Sequence, residues 1–345
     1  MKKYVFRMPD NWHAHLRMQE LLLAVYHHFN IYGRVLCMGN TSPLIETAND
    51  AIHYRDDIMD RPVSFEPVMC IMLTQDTTPA MILKAAEMGI KFVKFIPVGT
   101  STGAVKGLRI DDFRELYNIF PVIAETGMHL LLHAEFMSER SGREIPLIER
   151  EEKAIGAVSI YHGRFPGMKI TIEHASTANM IEFVQSCDSA NVRATLTPHH
   201  AILTYSDVFD QNGRMIDPFN YCLPVLKRVP DKRAVVRAMT SGDERFFAGT
   251  DAAPHWAEQK NGQKPPAGIF FGSSEYLRYL EVFEKENVIE RFEDFTSRFG
   301  AEYYGYPQNA KIITVVQEEW KQPTGEYGVN FCLGGQPLRW KIDKE

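Results

Sequence analysis

Eight short apolar runs, separated by stretches of helical character, constrain the fold of this chain more than any other feature. Most of the runs are rich in Val, Ile, Leu and Phe without strict alternation, which is typical of strands buried on both faces of a parallel sheet. Helical patterns such as TPAMILKAAEMG and IDDFRELYNIFPVIAETG lie between them. The eight predicted strands are residues 4–8, 33–38, 64–72, 90–96, 128–133, 168–174, 192–197 and 244–250.

Strands that alternate with helices in this number predict a (β/α)8 barrel. A doubly wound open sheet is the structural alternative, but no G-x-G-x-x-G motif follows the first predicted strand. No linker divides the sequence, so we predict a single domain over residues 1–345. After about residue 305 the pattern changes to AKIITVV, YGVNFCL and LRWKI. This change predicts short strands appended outside the barrel, in an extension over residues 305–345.

Composition excludes several classes of protein. The net charge is −6, and no basic block indicates binding to nucleic acid or to an anionic membrane. No run approaches the roughly 18 apolar residues of a spanning helix, and the first residues lack a signal-peptide pattern. The five cysteines are widely spaced and form no C-x-x-C motif. We therefore expect reduced thiols in a cytoplasmic protein.

Polar residues recur at the predicted carboxyl ends of the strands, where barrel active sites are built. They include His13 and His15 of DNWHAHLR, His133 of LLLHAE, His174 of IEHAS and Asp251 of GTDAAPH. Each alone has an ordinary structural explanation, such as a buried histidine bonded to a carbonyl or an aspartate that caps a helix. Four imidazoles and a carboxylate at one end of a barrel instead favour a borderline cation such as zinc.

Lys94 lies inside an apolar predicted strand, KFVKFIPV. A buried ammonium group is costly unless it is paired or neutralised. One explanation is a salt bridge to a carboxylate at a strand end. The other is that the deprotonated amine captures carbon dioxide as a carbamate, which converts a cation into a carboxylate able to bridge two metals. The adjacent His27 and His28 fall on a predicted helix, where we expect a structural or solvated role.

At these positions the chain closely resembles the single-domain bacterial dihydroorotases of the amidohydrolase superfamily. The resemblance covers nearly the whole sequence, through PDNWHAHLR, YGRVLCMGN, KFVKFIP, LLLHAE, IEHAST, YCLPVLKR and GTDAAPH. It implies a zinc-dependent enzyme of de novo pyrimidine synthesis. The implied reaction is the reversible cyclisation of N-carbamoyl-L-aspartate to L-dihydroorotate and water. The resemblance also implies a homodimer.

The resemblance implies a centre of two zinc ions. The first ion would be held by His13, His15 and Asp251, and the second by His133 and His174. Carbamylated Lys94 and a hydroxide would bridge the two ions. Asp251 would also act as the general base and then as the general acid.

The resemblance further implies how substrate is bound. The substrate carboxylate would be held by Arg17, Asn40 and His255, and the ring amides by the backbone of Leu223 and Ala267. A loop in the stretch VGTSTGAVKG would close over the substrate through the hydroxyl groups of Ser101 and Thr102.

Three departures from the family pattern concern the loops. Ser101 stands where threonine is expected, Gly39 stands where proline is expected, and the segment after His255 lacks the cysteines of some relatives. None of these departures changes a metal-ligand position. We therefore expect them to affect the kinetics of the loop and the turn that positions Asn40 more than the reaction itself.

Two alternative functions stay open. One is another cyclic-amide hydrolase of the superfamily, such as a hydantoinase or an allantoinase. The other is a dihydroorotase-like chain that has lost catalysis and serves as an assembly partner. The group Arg17, Asn40 and His255 favours a substrate with a free carboxylate, which a plain hydantoin lacks. The complete set of ligand positions argues against a non-catalytic chain.

Overall fold

The computed structural model describes residues 2–101, 106–187 and 190–343. The strands in these residues are β1 (Lys3–Arg7), β2 (Asp10–Ala14), β3 (Arg34–Cys37), β4 (Glu66–Leu73), β5 (Phe92–Phe95), β6 (His129–Leu132), β7 (Lys169–Ile172), β8 (Val192–Leu196), β9 (Phe246–Ala248), β10 (Ile312–Lys321), β11 (Gly325–Glu326), β12 (Val329–Asn330) and β13 (Pro337–Asp343).

The α-helices in the described residues are α1 (Gln19–Val25), α2 (Ala48–Met59), α3 (Pro79–Glu87), α4 (Phe113–Thr126), α5 (Arg150–Arg164), α6 (Ala178–Ser186), α7 (Pro198–Ile202), α8 (Val229–Thr240), α9 (Ala257–Lys260), α10 (Glu275–Lys285) and α11 (Phe299–Tyr303). Short 3-10 turns cover Tyr26–Ile31, Tyr205–Asp207, Pro218–Asn220, Gly272–Ser274 and Ile289–Arg291, and a π-helical turn covers Asp294–Arg298.

Strands β2 to β9 pair in parallel in the order of the chain. A parallel bridge between Ala14 and Ala252 brings the segment after β9 beside the end of β2. There the backbone N–H of Asp251 donates to the carbonyl of His13 at 2.9 Å, and that of His15 donates to Ala252 at 2.8 Å. The (β/α)8 barrel predicted from the sequence is thereby confirmed, and its closure places two histidines beside an aspartate.

The prediction that residues 4–8 form the first barrel strand is wrong. β1 pairs antiparallel with β10, which pairs with β13, in a separate three-stranded sheet. The first barrel strand is β2, whose five residues are all buried. Hydrophobic patterning misses β2 because its polar side chains are paired inside the protein. Asp10 accepts a hydrogen bond from Arg34 at 3.0 Å, and the Asn11 amide donates to Thr250 at 2.8 Å.

Strands β3 to β9 coincide with the other seven predicted runs. Side-chain alternation along these strands separates two layers of the barrel interior. Phe92 and Leu131 belong to an apolar cluster with Trp12 and Tyr304, whose rings meet edge to face at 4.9 Å between centroids. Lys94 lies two residues beyond Phe92, so the polar layer follows the apolar one toward the carboxyl ends of the strands.

Two helices begin at residue types that favour helix starts, and the cysteines form no disulfide bonds among themselves. α2 begins with a capping box in which Thr47 and Asp50 bond each other's backbone, and α3 begins with Thr78 as cap and Pro79 as first residue. The five cysteines are buried and free, as their spacing predicts. Within the described ranges, none of the helices combines the length and the apolar character needed to cross a membrane.

Candidate active site

His13, His15 and Asp251 converge at the seam where the barrel closes. The Asp251 carboxylate oxygen Oδ1 lies 3.3 Å from His13 Nε2 and 3.0 Å from His15 Nε2. All three side chains are buried. Three donor atoms at this spacing are a candidate metal site. For zinc bonds of 2.0–2.1 Å in a tetrahedral arrangement, neighbouring ligand atoms lie about 3.3–3.4 Å apart, close to the distances observed here.

His133 and His174 form a second pair, on the neighbouring strands β6 and β7. His133 Nδ1 and His174 Nε2 are 3.1 Å apart, and both rings are buried. His133 Nε2 contacts the Glu135 carboxylate at 2.8 Å. A carboxylate accepts a hydrogen bond only from a protonated ring nitrogen, so Nδ1 of His133 presents its lone pair toward His174. These two residues therefore offer a further pair of candidate imidazole ligands.

Glu173 orients the first histidine in the same way. Its Oε2 atom accepts hydrogen bonds from His13 Nδ1 at 2.5 Å and from the Thr195 hydroxyl at 2.7 Å. The Nε2 atom of His13 is thereby left as the ligand atom that faces Asp251. Sequence reasoning missed both glutamates. The available signal was an acidic residue inside an otherwise apolar strand, ITIEH, and another two residues after His133, in HAE.

Lys94 lies at the centre of the cluster and is 1% exposed. Its Nζ atom has no hydrogen-bond partner among the described residues. Burial lowers the pKa of Lys94 below its ordinary value, against the opposing effect of the Glu173 and Asp251 carboxylates. Of the two explanations for a buried lysine, a salt bridge to a strand-end carboxylate is not formed among the described residues. A neutral amine is the form of lysine that reacts with carbon dioxide, so the carbamate explanation fits the geometry.

Burial and neighbouring charges shift the pKa values of the histidines and carboxylates in this cluster. Burial lowers the pKa of His15 and of His174 well below the ordinary value, which keeps both rings neutral, as metal binding requires. Burial raises the pKa of Asp251, although the neighbouring His13 and Lys94 oppose the shift. For Glu173 the attraction of His13 and Lys94 outweighs burial, and its pKa lies below the ordinary value.

Three residues of the site adopt left-handed backbone conformations. The φ angles are 63° at Arg17, 44° at His174 and 50° at Asp251. A non-glycine residue in this region costs on the order of 1–3 kcal/mol and persists only where the surrounding structure fixes it. Such strain gathers at functional sites, and here it turns the three side chains toward one cleft.

Arg17 and His255 lie together at the side of the cleft. Arg17 donates from Nε to the Pro254 carbonyl at 2.9 Å, and one terminal nitrogen lies 3.0 Å from His255 Nε2. Burial and the adjacent Arg17 lower the pKa of His255 to about 2, so its ring is neutral and can accept from the guanidinium. Asn40 bonds the His15 side chain. The Gly39 carbonyl, next to Asn40, accepts from Ile45 at 2.9 Å, which fixes the turn.

Lys260 ties together the two backbone segments that contain Leu223 and Ala267. Its buried ammonium donates to three carbonyls, those of Tyr221 at 3.2 Å, Pro266 at 3.0 Å and Gly268 at 2.7 Å. The Tyr221 carbonyl also accepts from the Gly268 N–H at 2.9 Å. The ammonium thus uses its three N–H donors on neutral dipoles. Nothing in the sequence pattern of α9 indicates this role.

One cleft gathers almost all of the predicted site residues. It is lined by His13, His15, Arg17, Asn40, Lys94, Ser101, His133, His174, Leu223, Asp251 and Ala267. His255 lies against Arg17, and its Nε2 atom is also 3.0 Å from the Ala267 carbonyl oxygen. Thr102 lies outside the described residues. The structure thus brings together residues that are widely separated in the sequence.

A parallel (β/α)8 barrel with this His, Lys and Asp cluster at the carboxyl ends of its strands defines a hydrolase of the amidohydrolase superfamily. The sequence is 35% identical to the dihydroorotase of Vibrio atlanticus (strain LGP32), over 99% of this chain and all of that one. It is 36% identical to the mitochondrial dihydroorotase of Arabidopsis thaliana, over 96% and 89% of the two chains. This chain therefore belongs to the dihydroorotase family, whose members are cyclic amide hydrolases.

Solved structures agree with this assignment. Dihydroorotase from Saccharomyces cerevisiae in complex with 5-fluoroorotic acid superposes with a TM-score of 0.91 and 27% identity, over 99% of both chains. An L-hydantoinase from Arthrobacter aurescens, with a TM-score of 0.82 and 16% identity over 99% of this chain and 83% of that one, shares the fold. No protein-family model matches the sequence.

Proposed function

We propose that this protein is a zinc-dependent dihydroorotase that interconverts N-carbamoyl-L-aspartate and L-dihydroorotate in pyrimidine synthesis. The observation that carries the proposal is the composition of one cleft. It is lined by a complete set of metal-ligand candidates and also by a partly buried arginine, Arg17, suited to a carboxylate. Family membership supports the same reaction.

The ligand set fits two zinc ions. His13, His15 and Asp251 would hold one ion, and His133 and His174 the other, with Lys94 between them as a carbamate. Carbamylation joins the neutral amine of Lys94 to carbon dioxide with loss of one proton, and it relieves a buried nitrogen that otherwise has no partner in the described residues. When bound, two zinc ions would lower the pKa of a shared water molecule and polarise the scissile carbonyl.

Asp251 has the position and the burial of a proton-transfer group. In the ring-opening direction its carboxylate takes a proton from the attacking water and delivers it to the ring nitrogen that leaves. A carbon–oxygen bond forms and the ring amide carbon–nitrogen bond breaks. One proton of the water stays on the product nitrogen, and the other is released to solvent when the new carboxylic acid group ionises.

Arg17 and the loop backbone would orient the substrate. The planar guanidinium of Arg17 suits bidentate binding of the exocyclic carboxylate, with Asn40 and His255 beside it. The backbone groups of Leu223 and Ala267 line the same cleft and would bind the ring amides. Ser101 lines the cleft as well, and together with Thr102 it would close over the bound substrate and exclude water.

The test compares cyclic amides with and without a carboxylate. Purified protein supplied with zinc and bicarbonate is incubated with L-dihydroorotate, with dihydrouracil and with hydantoin, and ring opening is followed by ultraviolet absorbance. We expect turnover of dihydroorotate alone. Faster opening of hydantoin would favour the hydantoinase alternative, and the absence of any turnover would favour a non-catalytic assembly partner.

We also propose a cytoplasmic homodimer. The buried, free cysteines suit a reducing compartment, and the dimer rests on the family resemblance. Sedimentation equilibrium of the purified protein tests the dimer, because the chain mass is 39.5 kDa. A species of that mass at assay concentration would contradict it.

A further inference from the structure

A second group of metal-ligand side chains lies away from the active-site cleft. His27, His28 and Glu326 form what we call the outer histidine cluster. Their donor atoms lie within 4.8 Å of one another. His27 Nε2 is 3.2 Å from Glu326 Oε2, and His28 Nε2 is 3.3 Å from the same oxygen. The two imidazole rings are 4.0 Å apart between centroids.

The distances of 3.2 Å and 3.3 Å lie at the long end of the hydrogen-bond range and also suit shared ligation of one ion. A charge-assisted N–H···O bond is about 2.7–2.9 Å between heavy atoms. Ligand atoms of a tetrahedral zinc ion with bonds of 2.0–2.1 Å lie about 3.3–3.4 Å apart. The active-site group gives an internal comparison, since Asp251 Oδ1 lies 3.3 Å and 3.0 Å from its two histidines. The histidine-to-carboxylate distances of the outer histidine cluster therefore match those of the candidate metal centre.

The fold holds this cluster from both sides. The 3-10 turn Tyr26–Ile31 supplies the histidines, and the hairpin of β11 and β12 supplies Glu326. Two left-handed residues form the hairpin turn, Tyr327 and Gly328, with φ of 48° and 81°. The Gly328 carbonyl accepts from the N–H of Ala257 at 2.8 Å, which fixes the hairpin against the start of α9.

His28 is prepared as a ligand. Its ring is 6% exposed and packs against the edges of Phe270 and Phe331. Its Nδ1 atom bonds the Ser273 hydroxyl at 2.9 Å, the kind of outer contact that orients metal-bound imidazoles. These contacts hold the ring with its Nε2 atom 3.3 Å from Glu326 Oε2.

We propose that His27, His28 and Glu326 bind a divalent transition-metal ion, of which zinc fits best, separately from the active site. Two imidazoles and one carboxylate are a ligand set that zinc accepts, and partial exposure on the outer side leaves a fourth position for water. The bound ion would join the hairpin of the carboxyl-terminal extension to the 3-10 turn beside the barrel. Its role would be structural, because the cluster does not line the catalytic cleft.

The test counts zinc ions per chain. Metal-free wild-type protein and the variants Glu326→Gln and His27→Ala are titrated by equilibrium dialysis until zinc uptake stops. Glu319→Gln, an exposed change on β10, is the matched control. We expect wild type and control to bind one more zinc ion per chain than either cluster variant. Zinc should also raise the unfolding temperature of the wild type more than that of the cluster variants.

Equal zinc uptake by wild type and both cluster variants would overturn the proposal. Glu326 and His27 are partly exposed, so we expect the variants to fold, which circular dichroism checks. Ring opening at saturating zinc should be the same in all four proteins. The difference in zinc content does not depend on catalysis, so it stands or fails independently of the proposed dihydroorotase activity.

Discussion

Replacing Glu173 with glutamine tests how the protein prepares its first metal ligand. The change keeps the shape of the side chain but removes the charge from the oxygen that accepts from His13 Nδ1 and Thr195. A hydrogen bond to a charged group contributes about 1.5–3 kcal/mol, and a neutral one about 0.5–1.5 kcal/mol. The difference of about 1–1.5 kcal/mol corresponds to roughly a 10-fold loss of zinc affinity, at the lower end of what outer contacts of metal ligands contribute.

The assay measures ring opening of dihydroorotate as a function of free zinc. We expect the zinc concentration at half-maximal rate to rise about 10-fold in Glu173→Gln, with much of the rate recovered at high zinc. Glu182→Gln, an exposed change on α6, is the control and should leave the midpoint unmoved. A wild-type midpoint in Glu173→Gln would refute the reasoning that this carboxylate prepares His13.

Three further predictions follow from buried charges. Lys260→Met should raise the KM for dihydroorotate about 10-fold or more without changing zinc content, because the Pro266 and Gly268 carbonyls lose a donor beside the ring-binding backbone. Steady-state kinetics and metal analysis check this prediction, and an unchanged KM would contradict it. Arg17→Lys should raise the KM for dihydroorotate about 10- to 100-fold, since an ammonium group cannot form the two parallel hydrogen bonds that a guanidinium makes to a carboxylate. A KM equal to that of the wild type in this variant would contradict carboxylate binding by Arg17. Burial raises the pKa of Glu275 to about 8, so between about pH 4.5 and 8 the folded protein holds a proton that the unfolded chain releases. The contribution of protonated Glu275 to stability is therefore lost as pH rises through this interval. Glu275→Gln should therefore gain stability relative to wild type over that interval, by up to about 5 kcal/mol; a pH-independent difference in denaturant unfolding would count against the shift.

The barrel was predictable because most of its strands are buried on both faces and therefore have continuous apolar sequences. β2 was missed for the same physical reason. Its Asp10 and Asn11 are buried through pairing with Arg34 and Thr250, partners that lie 24 and 239 residues away along the chain. A hydrophobicity pattern registers which residues are apolar, but it cannot register polar residues whose partners come from other strands.

The candidate metal ligands were predictable because they fall at strand ends and match a family pattern. The groups that prepare them were not. Glu173 and Glu135 orient these ligands through contacts that exist only once the barrel has closed. The same is true of Lys260, which holds the backbone beside Leu223 and Ala267. A lone acidic or basic residue in a sequence does not reveal its partner. The outer histidine cluster shows the same limit, because Glu326 lies 299 residues from His27.

The most direct test of the account is ring opening of L-dihydroorotate by the purified protein before and after removal of metal by a chelator. We expect turnover in the untreated protein, its loss on chelation and its return with zinc and bicarbonate. Turnover that survives complete removal of metal would contradict the central claim that His13, His15, Lys94, His133, His174 and Asp251 form a catalytic zinc centre.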